Sequence, residues 1–91
     1  MNNKLTDKQR KYLGRVKELP CSVCDAPGPS DAHHYKQGLQ YTCIALCKEC
    51  HTMYNGIHGT KAIWRIKKMD ELDALNKTIE RIVNGSERHD W

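Results

Sequence analysis

Ninety-one residues with no Phe and a mean hydropathy of -0.78 make one small domain with a thin aliphatic supply, which excludes a large self-sufficient core and invites a structural metal as a staple. A formal charge of +4 and a pI near 8.9 suit a nucleic-acid partner without requiring one. No apolar run approaches the roughly 18 residues of a membrane helix, and the N-terminus lacks an apolar secretory stretch, so the expected location is the cytoplasm, away from any membrane.

Residues 1–4 are polar and expected to be frayed. Thr6 followed by Gln9 is a capping-box pair, and Tyr12, Val16 and Leu19, with Leu13 beside them, recur at helical spacing until Pro20. The other faces of this helix carry Lys8, Arg10, Lys11, Arg15 and Lys17. Such a row can follow a phosphate backbone, with Arg10, Lys11 and Arg15 as its nucleic-acid contacts, or it can be a solvated face. Cys21 and Cys24 form a Cys-x-x-Cys pair, followed by a turn-rich run. Residues 31–35 read as a strand, residues 36–40 with Gly38 as a loop, and residues 41–46 as a second strand closing a hairpin. Cys43, the odd cysteine, is expected indoors as a small hydrophobe. Cys47 and Cys50 form a second Cys-x-x-Cys pair that opens a helix carrying His51, and Asn55-Gly56 should interrupt it before His58. Thr60 can cap the next helix, where Ala62, Ile63, Ile66 and Met69 form an apolar stripe beside Lys61, Arg65 and Lys68, with Trp64 flanking that basic row. These four are candidate nucleic-acid contacts, because cations and an aromatic ring together hold and stack a strand; a charged helix edge is the plainer reading. Asp70 starts a last helix in which Leu72, Leu75, Ile79, Ile82 and Val83 keep helical period. Asn84-Gly85 is its expected C-cap. The chain thus divides into a basic helix over residues 1–19, a core over 20–85 and a loose tail over 86–91, all one domain.

Reduced cytosolic thiols at Cys-x-x-Cys spacing read as metal ligands before they read as disulfides. Cys21, Cys24, Cys47 and Cys50 would close one tetrahedral Zn2+ with no open position, a structural site; a histidine replacing one thiol would change the donor set and leave the role. His33, His34, His51 and His58 flank the halves of that scaffold. Adjacent strand residues point to opposite faces, so His33 and His34 share a site only if the strand ends or bulges there. Converging imidazoles would bind a divalent cation that polarises a phosphoryl group, while one imidazole off the metal takes a proton from water. That chemistry hydrolyses a phosphodiester.

Cys-x-x-Cys, then Ala-His-His, then Leu-Cys-x-x-Cys-His resembles the zinc-knuckle branch of the HNH nucleases, whose ββα-metal fold is a hairpin followed by a helix. The run Cys-His-Thr-Met-Tyr-Asn-Gly-Ile-His-Gly, followed by Lys-Ala-Ile-Trp-Arg-Ile and Met-Asp-Glu-Leu-Asp-Ala-Leu-Asn-Lys-Thr-Ile, is similar to the phage-type RecA-dependent nuclease Ref family over roughly residues 20–83. The resemblance implies an α+β fold with a zinc-stapled, treble-clef-like ββα-metal core, an N-terminal helix and C-terminal helices. It implies His34 as general base, His33 and His51 as ligands of a catalytic Mg2+, Mn2+ or other divalent cation, and His58, favoured by the Asn-Gly-Ile-His-Gly run, as the third ligand, with Asn55 as the alternative. The HNH asparagine that braces the loop is missing, and Thr42 stands at about its place. The expected function is a DNA endonuclease tied to phage or prophage recombination, acting in a bacterial host with a RecA-type recombinase filament as possible partner and leaving 5′-phosphate and 3′-hydroxyl ends. The alternatives are a noncatalytic treble-clef zinc module that binds nucleic acid or a recombination protein, and a small regulatory partner of a phage recombination complex.

Overall fold

A computed structural model of the chain describes residues 4–89, with side chains through residue 85. The expected frayed residues 1–3, like residues 90 and 91, lie outside the described residues. The fold is a small α+β arrangement in which a two-stranded antiparallel hairpin is packed by four helices.

Helix α1 spans Asp7–Glu18 and starts at the expected capping box: Gln9 N donates to Thr6 Oγ1 at 3.0 Å, and Thr6 N donates to Gln9 Oε1 at 2.9 Å. Strand β1 (Asp31–His34) pairs with β2 (Cys43–Leu46), placing His33 opposite Ile44 and His34 opposite Cys43. The second strand starts at Cys43, later than expected, because Gln40–Thr42 winds into a 3-10 turn. Thr42 braces that turn, donating from Oγ1 to Leu39 O at 2.7 Å, and its carbonyl accepts from Tyr35 N at 2.9 Å.

Every residue of β2 is buried, and its alternation splits the core in two. Ile44 and Leu46 pack with Cys21, Val23, Cys50, Trp64, Ala74 and Leu75, while Cys43 and Ala45 face Val16 and Ile82. The free edge of β2 is closed as well. Ser22 N donates to Ala45 O at 2.9 Å, and Ala45 N donates to Thr78 Oγ1 at 3.2 Å.

Helix α2 (Lys48–His51) is a single turn that ends at Thr52, before the Asn55-Gly56 pair is reached. Helix α3 (Ala62–Lys67) departs from the expected stripe: Trp64 is 3% exposed and Ile66 is 76% exposed. Trp64 belongs to the core cluster with Ile44, Leu46 and Leu75, and Lys61 takes the N-cap position in a left-handed conformation (φ 64°). Thr60 still helps, accepting from Ala62 N at 3.2 Å. Helix α4 (Glu71–His89) buries Ala74, Leu75, Thr78 and Ile82, and leaves Leu72, Ile79 and Val83 exposed. Asn84-Gly85 does not end it, so residues 86–89 are helical backbone and not the expected tail. No helix among the described residues is long and apolar enough to cross a membrane.

Candidate functional site

The two Cys-x-x-Cys pairs meet. Asp25, in a left-handed conformation (φ 65°), turns the first knuckle, and Asp25 N donates to Cys21 O at 3.0 Å. From α4, Arg81 Nη1 donates to Pro20 O and Cys21 O at 3.3 and 3.2 Å while Nη2 pairs with Asp25. Cys47 is the N-cap of α2, which puts the second pair on the first turn. The Sγ atoms of Cys21, Cys24, Cys47 and Cys50 all lie within 4.8 Å of one another, and Cys24 and Cys47 are 3.6 Å apart. A tetrahedral zinc with bonds of about 2.3 Å separates its sulfurs by roughly 3.8 Å, so the four fit one ion. Electrostatics agree. Burial and the neighbouring Cys21 sulfur push the Cys50 thiol far up, and burial raises Cys24. Burial also works upward on Cys21, but backbone amides outweigh it and hold that thiol below its ordinary value. Thiols crowded in this way shed their protons together only around positive charge, which a dication supplies. Cys43 stands apart in the core, where burial pushes its thiol up to about 11.

A second cluster forms from imidazoles. Candidate nitrogens of His33, His51 and His58 lie within 4.8 Å of one another, and the ring centroids are 4.9 to 5.1 Å apart. His33 is held by β1 and His51 by α2. His58 is brought back by its loop: Ile57 N donates to Cys50 O at 2.8 Å, and His58 N donates to His51 O at 3.1 Å. The approach is too close for side chains. A Cβ on Gly56 would meet Glu49 O at 2.7 Å, and one on Gly59 would meet Tyr54 O at 2.2 Å. Of the two candidates for third ligand, His58 therefore joins the cluster, while Asn55 is turned outward with its Oδ1 accepting from the Thr60 hydroxyl at 3.4 Å.

Carboxylates stand behind two of the rings. Asp31 Oδ2 accepts from His51 Nδ1 at 2.9 Å and its Oδ1 from Lys48 Nζ at 2.8 Å; the Lys48 bond, then the His51 bond, hold this carboxyl below its usual range. Glu71 Oε2 accepts from His33 Nε2 at 2.6 Å. Burial holds the His33 imidazole below its ordinary value, with Glu71 opposing. Both carboxylates went unnamed in the sequence reading. Asp31 carried a signal, since it shares a strand face with His33 two residues on; Glu71, 38 residues from its partner, carried none.

The histidine doublet is split by the strand. His34 has no place in the imidazole cluster; its Nε2 donates to Gln40 Oε1 at 2.7 Å, which leaves Nδ1 as the acceptor nitrogen. It lines an open groove of about 750 Å3 with Lys4, Leu5, Gln9, Leu13, Gln37, Gly38 and Gln40. There is no bulge, and the alternation of β1 directs the two rings to opposite faces.

The candidate nucleic-acid contacts also sort themselves. Lys61, Arg65 and Lys68 are exposed, and the first two line a pocket of about 210 Å3 that reaches Glu71. Trp64 is no surface stacking platform, since its buried indole donates to Cys50 O at 2.9 Å over the second knuckle. On α1, Arg10 and Lys11 are exposed, Arg10 pairing with Asp7 at 3.5 Å. Arg15 instead leans on α4, donating to Ile82 O at 3.3 Å. No protein-family model, curated protein or solved structure gives a significant match to the chain.

Proposed function

We propose that the chain is a metal-dependent DNA endonuclease of HNH type, with a treble-clef-like zinc scaffold beside a hydrolytic centre. One observation carries the reading: three imidazoles converge, two of them backed by carboxylates, next to a separate cluster of four thiols. The sulfur set offers zinc a closed shell, and the nitrogen set leaves positions for water and a phosphate oxygen. His58 is exposed, so the second centre opens to solvent on its side.

A divalent cation held by His33, His51 and His58 would polarise the phosphoryl group and offset charge on the leaving oxygen. Imidazole nitrogens suit transition ions, whereas Mg2+ prefers oxygen donors, so Ni2+ or Co2+ should support activity at lower concentrations than Mg2+ does. His34 takes the proton of the attacking water at Nδ1, while Gln40 holds its Nε2–H and fixes the ring. We place the scissile phosphodiester across the end of β1, where His34 on one face and the imidazole cluster on the other would both have to meet it. Lys61, Arg65 and Lys68 supply cations for the flanking backbone, joined by Arg10 and Lys11 on α1. Association with a RecA-type filament, and ends bearing a 5′-phosphate and a 3′-hydroxyl, rest on the family resemblance.

A plasmid-nicking assay across Mg2+, Mn2+, Co2+ and Ni2+ tests the reading. His34→Ala should lower the rate by about 10²–10⁴-fold, the span of a positioned acid–base group, with zinc content and fold unchanged. Equal nicking by wild type and variant would sink it. The split doublet favours one second reading, a noncatalytic treble-clef zinc module binding nucleic acid or a recombination protein. Retention of DNA in a gel-shift assay with no nicking under any cation would select it.

A further inference from the structure

Glu71 lies outside the hairpin and outside the turn that carries His51, yet its carboxylate is the partner of the most buried imidazole in the cluster. It opens the longest helix, and the start of that helix is fixed without its help. Asp73 N donates to Asp70 Oδ1 at 2.8 Å, and Asp70 N donates to Asp73 Oδ2 at 3.0 Å, so the cap is complete before Glu71 is considered. Further along, Thr78 meets Ser22 Oγ at 2.7 Å and Arg81 grips the first knuckle, so the helix is held along its length. The Glu71 side chain is thus spare for helix formation and held in place for His33.

The direction of that hydrogen bond decides which nitrogen His33 presents. A carboxylate accepts only, so His33 Nε2 carries the proton and Nδ1 keeps its lone pair. Asp31 does the reverse to His51, accepting from Nδ1 and freeing Nε2. The two rings therefore offer different nitrogens to one centre.

We infer that Glu71 is a positioning residue of the imidazole centre: it fixes His33 as the Nε2–H tautomer and aims Nδ1 at the ion shared with His51 and His58. This rests on the reading of that cluster as a metal centre. Outer carboxylates of this kind hold ring orientation and raise ligand basicity, and their loss lowers metal affinity about 10–100-fold. Glu71 also lines the pocket that Lys61 and Arg65 line, so its carboxylate borders both that pocket and the imidazole cluster.

The test uses the full chain loaded with zinc at the cysteines, titrated with Co2+ and read by its visible absorption. Wild type should bind a second ion; Glu71→Ala should bind it about 10–100-fold more weakly, with Glu71→Gln in between because its amide oxygen still accepts from Nε2–H. Adding Glu71→Ala to His33→Ala should cost nothing more, since the carboxylate acts through that ring. Imidazole 15N spectra before Co2+ addition should show His33 as the Nε2–H tautomer in wild type and a mixture in Glu71→Ala, a signature that a purely structural role would not move. Unchanged Co2+ affinity in Glu71→Ala, a wild type with no second ion, or a tautomer indifferent to the substitution would each overturn the inference. Nicking is scored separately. Weakened Co2+ binding in a protein that never nicks DNA would keep Glu71 in this role and remove the nuclease, whereas nicking with intact affinity in Glu71→Ala would do the opposite.

Discussion

Gly56 and Cys43 show how differently a single residue can matter. A methyl group at Gly56 would press within 2.7 to 2.8 Å of backbone atoms of residues 49–51, which cannot move aside without disturbing α2. Gly56→Ala should destabilise the protein by about 1–3 kcal/mol, as overpacking does, and withdraw His58 from its partners. Thermal unfolding together with metal content checks this, the expected outcome being zinc retained and the second ion lost. Cys43 is the contrary case, fully buried with its thiol pushed up to about 11. In the folded, zinc-loaded protein at pH 8 it should resist alkylation for hours and react only after chelation unfolds the chain, as peptide mass spectrometry would show. The cysteine roles were legible in the sequence because Cys-x-x-Cys spacing is a local property of the chain. His58 was favoured over Asn55 by the Asn-Gly-Ile-His-Gly run alone, because the loop that folds it back onto α2 is a tertiary feature with no local signal. The burial of Trp64 was not legible, since its core packing and its hydrogen bond to Cys50 O are tertiary features.

At the level of elements, α4 packs on β2, reaches α1 and holds the first knuckle through Arg81. Thr78 fills three needs in one place: its hydroxyl meets Ser22 Oγ at 2.7 Å, accepts from Ala45 N at 3.2 Å and donates to Ala74 O at 2.9 Å. Thr78→Val keeps the shape and orphans a buried strand amide, so it should cost about 1–3 kcal/mol in urea unfolding. A loss below about 0.5 kcal/mol would mean that water reaches the edge of β2. Helix periodicity identified α4 but misplaced its buried face, because Thr78 hides among apolar residues by hydrogen bonding. The strands were plainer: alternation in residues 41–46 predicted the hairpin, and only the 3-10 turn at Gln40–Thr42 shortened it.

For the molecule as a whole, the thiol cluster could hold a metal ion such as zinc, the kind of staple that suits a chain with so little apolar material. Structural zinc contributes about 10–16 kcal/mol in zinc-finger peptides, comparable to or larger than the net stability of a small domain. Cys47→Ser, or chelation of the wild type, should therefore unfold the chain as followed by circular dichroism, and a soluble unchanged variant would count against the site. Beside the hairpin lie two clusters of different donor chemistry, four thiols in one and three imidazoles in the other. X-ray absorption at the zinc and cobalt edges of protein loaded with both ions measures them separately. Four sulfurs at about 2.3 Å around zinc, and a nitrogen and oxygen shell near 2.1 Å around cobalt with no sulfur, is the predicted result. Sulfur around both ions, or cobalt that binds only by displacing zinc, would contradict it.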